Sequence, residues 1–280
     1  MNKKQLYEYG SHYYPYNRDP HWVDWFVKVA PIKVKRSLKI LSQYKGPNAK
    51  VLDYGCGIGF NIYYFAKFFP DITGIDNDKP SIEIAHKLLK KLSCNKRVLH
   101  YDGKKLPFKS GVFDIVNAAD VWEQVENPHI MLKEIHRVLK PDGILYITNP
   151  NRLWPIETHY KLPFLSYLPG PIANLYVRAM DRADRYDDIH LPTYGRFKKS
   201  MEEFFKVRDI TFDIIKDYKK YSLDKERGGM ISIVGTFLRI TEPSKKIPAV
   251  SIFYLILIGS LRWVSVGWVF LAWPKKKQLE

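Results

Sequence analysis

The residues best suited to chemistry form a short glycine loop. In VLDYGCGIGFN (51–61), Asp53 precedes Gly55, Gly57 and Gly59, which fall at every second position between an apolar run and a helical pattern. Glycines there permit a tight turn and let a ligand approach the backbone closely. Dinucleotide loops read G-x-G-x-x-G, so this spacing does not fit a nicotinamide dinucleotide. A second group lies further along, in NPNRLWPIETHYKLPF (149–164), where Glu157 and His159 follow an apolar strand pattern. Open α/β sheets bind ligands beyond the carboxyl ends of their strands. A histidine there has a pKa near neutrality and can serve as a base or acceptor contact, with Glu157 to orient it. The competing reading is a histidine that only organises its loop. His190 is a weaker candidate, and His12, Tyr13 and His21 are candidates for a lid over the cofactor. Cys56 and Cys94 have neither disulfide-scaffold nor metal-site spacing, and no metal site is expected.

The elements that must position these groups alternate in type. AKVLDYG (49–55), ITGID (72–76), VLHYD (98–102), VFDIVNAAD (112–120) and ILYITNP (144–150) read as short strands. The segments 62–69, 80–92 and 129–139 between them carry helical spacing. That alternation implies an α/β fold with a mostly parallel sheet and helices on both faces. Upstream, 21–44 reads as two short helices broken at Pro31. From Asn151 to Tyr194 the rhythm fails in a stretch with five prolines, too long for an ordinary loop and read as a cover over the active end of the sheet. RFKKSMEEFF (196–205) resumes as a helix, and 207–215 and 228–240 are expected to be the closing strands.

Five ordered pieces resemble the Rossmann-like (class I) S-adenosylmethionine-dependent methyltransferases, in particular the type 11 small-molecule branch that includes ubiquinone and menaquinone biosynthesis methyltransferases. They are VLDYGCGIG (51–59), ITGIDND (72–78), YDGKKLPFKSGVFDIV (101–116), VWEQVENP (121–128) and EIHRVLKPDGILYITNPN (134–151). The resemblance implies a seven-stranded Rossmann-like sheet with an insertion after the fifth strand, and S-adenosyl-L-methionine as cofactor. It implies that Asp53 and the backbone of Gly55, Gly57 and Gly59 hold the methionine part. Asp76 would take the ribose hydroxyls, Asn77 would line the adenine, and Asp102 with Gly103 would read its edge. A surface acid is the alternative for Asp76, and a turn cap for Asp102. The family's acid–histidine pair corresponds to Glu123 and Gln124. Asp120 and Glu123 match two acids that quinone-type relatives link to a divalent cation. With glutamine in place of histidine the metal role is not carried over, and Glu123 is kept as a catalytic candidate beside a network role.

The expected organisation is a helical lid at 1–45, a cofactor-binding core at 46–150, a substrate cap at 151–194, the rest of the core at 195–242 and a hydrophobic helical segment at 243–280. From Ile247 to Trp273 only Arg262 is charged, and lysines bracket the tract. Its length meets the roughly 20-residue requirement for a membrane span. A re-entrant or in-plane anchor, a true span and a buried segment all remain open. The net charge of +16 favours anionic surfaces, and without a nucleic-acid motif a membrane is preferred to nucleic acid. With no secretory signal pattern, the expected place is the cytoplasmic face of a membrane, peripheral or C-terminally anchored, and the expected acceptor is a small lipophilic molecule. A soluble metabolite or glycan is the alternative acceptor, and a non-catalytic cofactor-binding or scaffolding protein the alternative from another class.

Overall fold

The structure, a computed structural model, describes residues 2, 4–5, 7–8, 22–186, 189–240, 258–263 and 265–275. His12, Tyr13 and His21 lie outside the described residues. Seven strands form one sheet in the order β3-β2-β1-β4-β5-β7-β6. They are β1 (Val51–Tyr54), β2 (Ile72–Asp76), β3 (Arg97–His100), β4 (Phe113–Ala119), β5 (Leu139–Pro150), β6 (Phe205–Asp209) and β7 (Gly267–Pro274). β1 to β5 pair in parallel, and β7 runs antiparallel to both β5 and β6. Their apolar side chains fill a core cluster on each face, one with Phe65 and Ile115, the other with Leu132 and Phe197. Continuous apolar runs rather than alternation follow from that double burial.

The helices that matter for the site are α1 (Trp22–Leu41), α2 (Phe60–Phe65), α3 (Lys79–Lys91), α4 (Pro128–Val138), α5 (Gly170–Ala179) and α6 (Tyr194–Phe204). α1 is one 20-residue helix with Pro31 inside it, not two helices. α3 begins at Asp78, whose side chain accepts from the Ser81 amide at 3.1 Å, and α4 at Asn127, which accepts from Ile130 at 3.2 Å. Such caps satisfy backbone donors left orphaned in a helix's first turn.

The expectation that fails is the hydrophobic C-terminal helical segment. Residues 247–257 lie outside the described set and 258–263 form a short helical turn. Residues 267–273 belong to β7, inside the sheet. Phe270 and Leu271 are fully buried, and the backbone of β7 is paired on both sides. Among the described residues no helix is long and apolar enough to cross a membrane. The C-terminal anchor and the membrane-face location inferred from it are therefore withdrawn. The physical reason is that a strand buried on both faces has the same composition as a membrane tract. Arg262 pairs with Asp209 at 3.1 Å. The proposed closing strands shift with it: only 205–209 is a strand, while Thr211–Lys216 (α7) and Gly229–Ile240 (α9) are helices, separated by α8 (Leu223–Arg227).

Candidate active site

Between β1 and β4 the strand order reverses direction, the place where open α/β sheets bind ligands at the carboxyl ends of their strands. The glycine loop leaves β1 at this point. Gly55, Gly57 and Gly59 have φ of 72°, 49° and 80°, in the left-handed region. A Cβ on Gly55 would lie 2.5 Å from Val121 Cγ2, so the loop tolerates no side chain where it passes the end of β4.

Asp53 is 1% exposed beneath this loop. Its Oδ1 accepts from Asn117 Nδ2 at 2.6 Å and from Asn61 Nδ2 at 3.3 Å, while Oδ2 has no hydrogen-bond partner. Burial pushes the carboxyl up to about 7 against the pull of the two amides. An orphaned buried acceptor under a glycine loop fits a ligand that brings a cationic donor. At the end of β2, Asp76 Oδ2 accepts from the Gly57 amide at 2.8 Å, and Oδ1 accepts from Asp78 at 2.9 Å. Burial raises this carboxyl, with the backbone donors opposing it. Each oxygen keeps a lone pair for further donors such as vicinal hydroxyls.

Asn77 is exposed beside Asp76. Gly103 has φ of 77°, and a Cβ on it would lie 3.8 Å from Asn77 Nδ2, so the two stand side by side beyond β2. Asp102 accepts from the Lys104 amide at 2.9 Å and from Lys105 at 3.3 Å, which holds its carboxyl below the ordinary value. That is a turn-capping geometry.

On the other side, the ends of β4 and β5 gather an ionic cluster. Asp120 follows β4 with φ of 56°. It receives the Lys33 ammonium from α1 at 2.7 Å and the Thr148 hydroxyl from β5 at 2.6 Å. Burial alone would raise Asp120, but Lys33 and Thr148 hold it at about 2. Glu157 and His159 touch despite standing two residues apart. Glu157 Oε2 accepts from the His159 and Tyr160 amides at 2.8 and 2.6 Å, which folds the chain back and sets Oε1 2.8 Å from His159 Nδ1. His159 Nε2 faces Glu123 at 3.5 Å. Glu123 and Glu157 side chains are fully buried, whereas His159 is one quarter exposed. Both Glu123 oxygens lack a hydrogen bond, and burial raises this carboxyl. Burial by itself would lower His159, but the two glutamates override it and push the ring up to about 10. The two carboxylates thus favour the protonated form of the ring.

Sequence reasoning offered Glu157 as the partner of His159 and singled out Glu123 apart from them, and the fold sets the three side by side. His190 enters through its backbone amide, which donates to the Glu123 carbonyl at 2.7 Å, and Gln124 donates to the Asp120 carbonyl at 3.4 Å. Among the described residues, no set of three acids, histidines or cysteines converges as a metal site. Lys33, Thr148, Asn61 and Asn117 were missed. Asn117, a polar residue within an apolar strand run, was the one with a visible signal.

A methyltransferase-domain family matches residues 52–147. Cycloartenol-C-24-methyltransferase 1 of Oryza sativa subsp. japonica is 33% identical over 133 residues, 46% of this chain and 38% of the relative, so the chain spans well under half that relative's length. Demethylmenaquinone methyltransferase of Staphylococcus aureus is 28% identical over 187 residues, 64% of this chain and 76% of the relative. A solved protein of Pyrococcus horikoshii OT3 aligns with a TM-score of 0.56 over 94% of this chain and 99% of that one, at 17% identity, a likeness of fold. The glycine loop, the acid ending β2, the strand order and the matched sequence agree: residues 52–147 form an S-adenosylmethionine-dependent methyltransferase domain of Rossmann-like fold, similar to the type 11 branch.

Proposed function

We propose that the protein methylates an oxygen of a small polar acceptor, a soluble metabolite or glycan, held at the carboxyl ends of β4 and β5. The observation that carries this reading is the ionic cluster of Lys33, Asp120, Glu123, Glu157 and His159 beside the cofactor crevice. Such an edge rewards a polar acceptor and penalises an apolar one, which would leave these groups unpaired.

Bound S-adenosylmethionine supplies an activated methyl group on a sulfonium, so the protein's tasks are alignment, exclusion of water and disposal of one proton. Asp53 Oδ2 would take the cofactor's ammonium, and Asp76 its ribose hydroxyls. Asn77 and Gly103 would line the adenine, with Asp102 holding their turn. Transfer of that methyl group to the acceptor's oxygen would release the hydroxyl proton, which this edge of the site has to take up. Glu157 fixes the His159 ring through Nδ1 and turns Nε2 toward Glu123 and the open edge. His159 and Glu123 then work as a pair. Glu123, whose raised carboxyl suits it to receive a proton, first takes the one on Nε2, and the neutral ring then accepts the acceptor's proton at that nitrogen as the methyl group is transferred.

His159→Gln is expected to lower kcat by about 100-fold or more while calorimetric cofactor affinity changes less than twofold. The linkage gives an independent readout. His159 has its folded pKa raised to about 10, so its stabilising contribution is complete below its unfolded value and is lost as pH rises toward 10. Wild type is thus expected to lose thermal stability across that window, and His159→Gln to lose less. Unchanged kcat at every pH, with an unchanged stability profile, would remove His159 from the mechanism.

A second reading, an acceptor with an apolar tail, is favoured by one feature of the insertion. Ile156, Phe164, Ile172 and Leu175 are 46 to 63% exposed on its outer surface, and the menaquinone relative's name points the same way. The phase into which the methylated product partitions, aqueous or organic, separates the two.

A further inference from the structure

α1 has a second working face. Ile32, Lys35, Arg36 and Lys39 recur at helical spacing along it, turned toward a groove of about 230 Å³ whose other wall is the segment 220–225. The groove is lined by five cations, Lys35, Arg36, Lys39, Lys220 and Lys225, and by no acidic residue. Arg36 is buried and already used: its guanidinium donates to the Tyr221 carbonyl at 3.1 Å and pairs with buried Glu226. That contact clips the two walls together and fixes their separation. Asp224 belongs to the same segment but keeps Oδ1 buried. The four lysines are exposed. Lys39 donates to the Lys220 carbonyl at 3.1 Å, Lys35 lies 6.0 Å from the Tyr64 ring and Lys220 5.1 Å from the Tyr221 ring. Among the described residues none of the four has a carboxylate partner.

The adjoining groove provides an internal comparison. It shares Lys220 and Tyr221, yet its own cations are neutralised, Arg208 by Asp213 at 3.3 Å and Lys216 by Asp213 at 3.8 Å. Ammonium groups held together without counter-charges repel one another, and an anion that bridges them relieves the repulsion. We propose that the groove between α1 and residues 220–225 binds a small molecule bearing a diphosphate or a comparable pair of phosphate groups, at a site separate from the methyl-transfer crevice. Lys35 and Lys39 hold one side of the anion, Lys220 and Lys225 the other.

The test is calorimetric titration of the full chain with inorganic pyrophosphate, with S-adenosylhomocysteine saturating the cofactor crevice. One saturable site is expected. Lys35→Gln, Lys39→Gln, Lys220→Gln and Lys225→Gln combined should weaken it by about tenfold or more, since each removes a charge from a shared anion. A control carrying Lys87→Gln, Lys90→Gln, Lys133→Gln and Lys199→Gln, which changes the net charge equally, should bind within about twofold of wild type. If the first variant does not fold, the double change at Lys220 and Lys225 replaces it, with an expected loss of several-fold. No saturable binding, or equal losses in both variants, would overturn the proposal. So would a short RNA that binds more tightly than pyrophosphate and loses affinity in the same variant, because the groove would then be part of a nucleic-acid surface.

Discussion

Replacing Asp76 with alanine is expected to cut cofactor affinity by about 100-fold, the loss of two hydrogen bonds to a charged acceptor at about 1.5 kcal/mol each. Asp76 stands at the meeting of two demands. Its oxygens already accept from the Gly57 and Asp78 amides, so it shapes the glycine loop and the entry to α3. The outward lone pairs remain for the ribose. Asp76→Asn keeps one acceptor oxygen and should fall between wild type and alanine. Isothermal calorimetry with S-adenosylhomocysteine measures this directly, and a thermal melt run beside it separates a lost contact from a lost fold. Unchanged affinity in the alanine variant would reduce Asp76 to a surface acid at a strand end.

The second large effect concerns β7. Phe270 is fully buried, opposite Ile147 on β5 and Asp209 on β6, and stacks on Phe197 with ring centroids 5.0 Å apart. Phe270→Asp buries a carboxylate within the apolar cluster that holds Phe197 and Trp268. The cost of several kcal/mol, added to the lost aromatic packing, approaches the whole stability of about 5–15 kcal/mol of a typical domain. No cooperative unfolding transition is expected from this variant. Met230→Asp, at a position 78% exposed on α9, should melt within a few degrees of wild type. If Phe270→Asp were folded and as stable as wild type, residues 267–274 would not be an interior strand.

How far the site was readable follows from where each residue gets its partners. Asp53, the three loop glycines and Asp76 sit at strand ends and in a glycine spacing visible in the sequence, and the resemblance to the methyltransferases supplied their roles, although Asp53's partner Asn117 lies 64 positions away. Glu157 and His159 are also local, because the carboxylate caps the turn that carries the histidine. Lys33 is different. It meets Asp120 across 87 positions of chain, and nothing in a helix of mixed apolar and basic residues marks one lysine out. The closing strands failed for a related reason. VRDITFDII and GGMISIVGTFLRI have the β-branched content of strands, but tertiary packing makes most of them helical, and α9 leaves Met230, Ile233 and Ile240 exposed. The strand that closes the sheet came from a tract whose hydropathy could not separate a sheet interior from a bilayer.

The most direct measurement is mass spectrometry of a soluble metabolite extract incubated with the protein and methyl-deuterated S-adenosylmethionine, with Asp76→Ala in parallel. The predicted result is a labelled small molecule in the aqueous fraction, formed by wild type and strongly reduced in the variant, with S-adenosylhomocysteine produced in equal amount. Cofactor binding with no labelled product in the aqueous or organic fraction would contradict methyl transfer at this site.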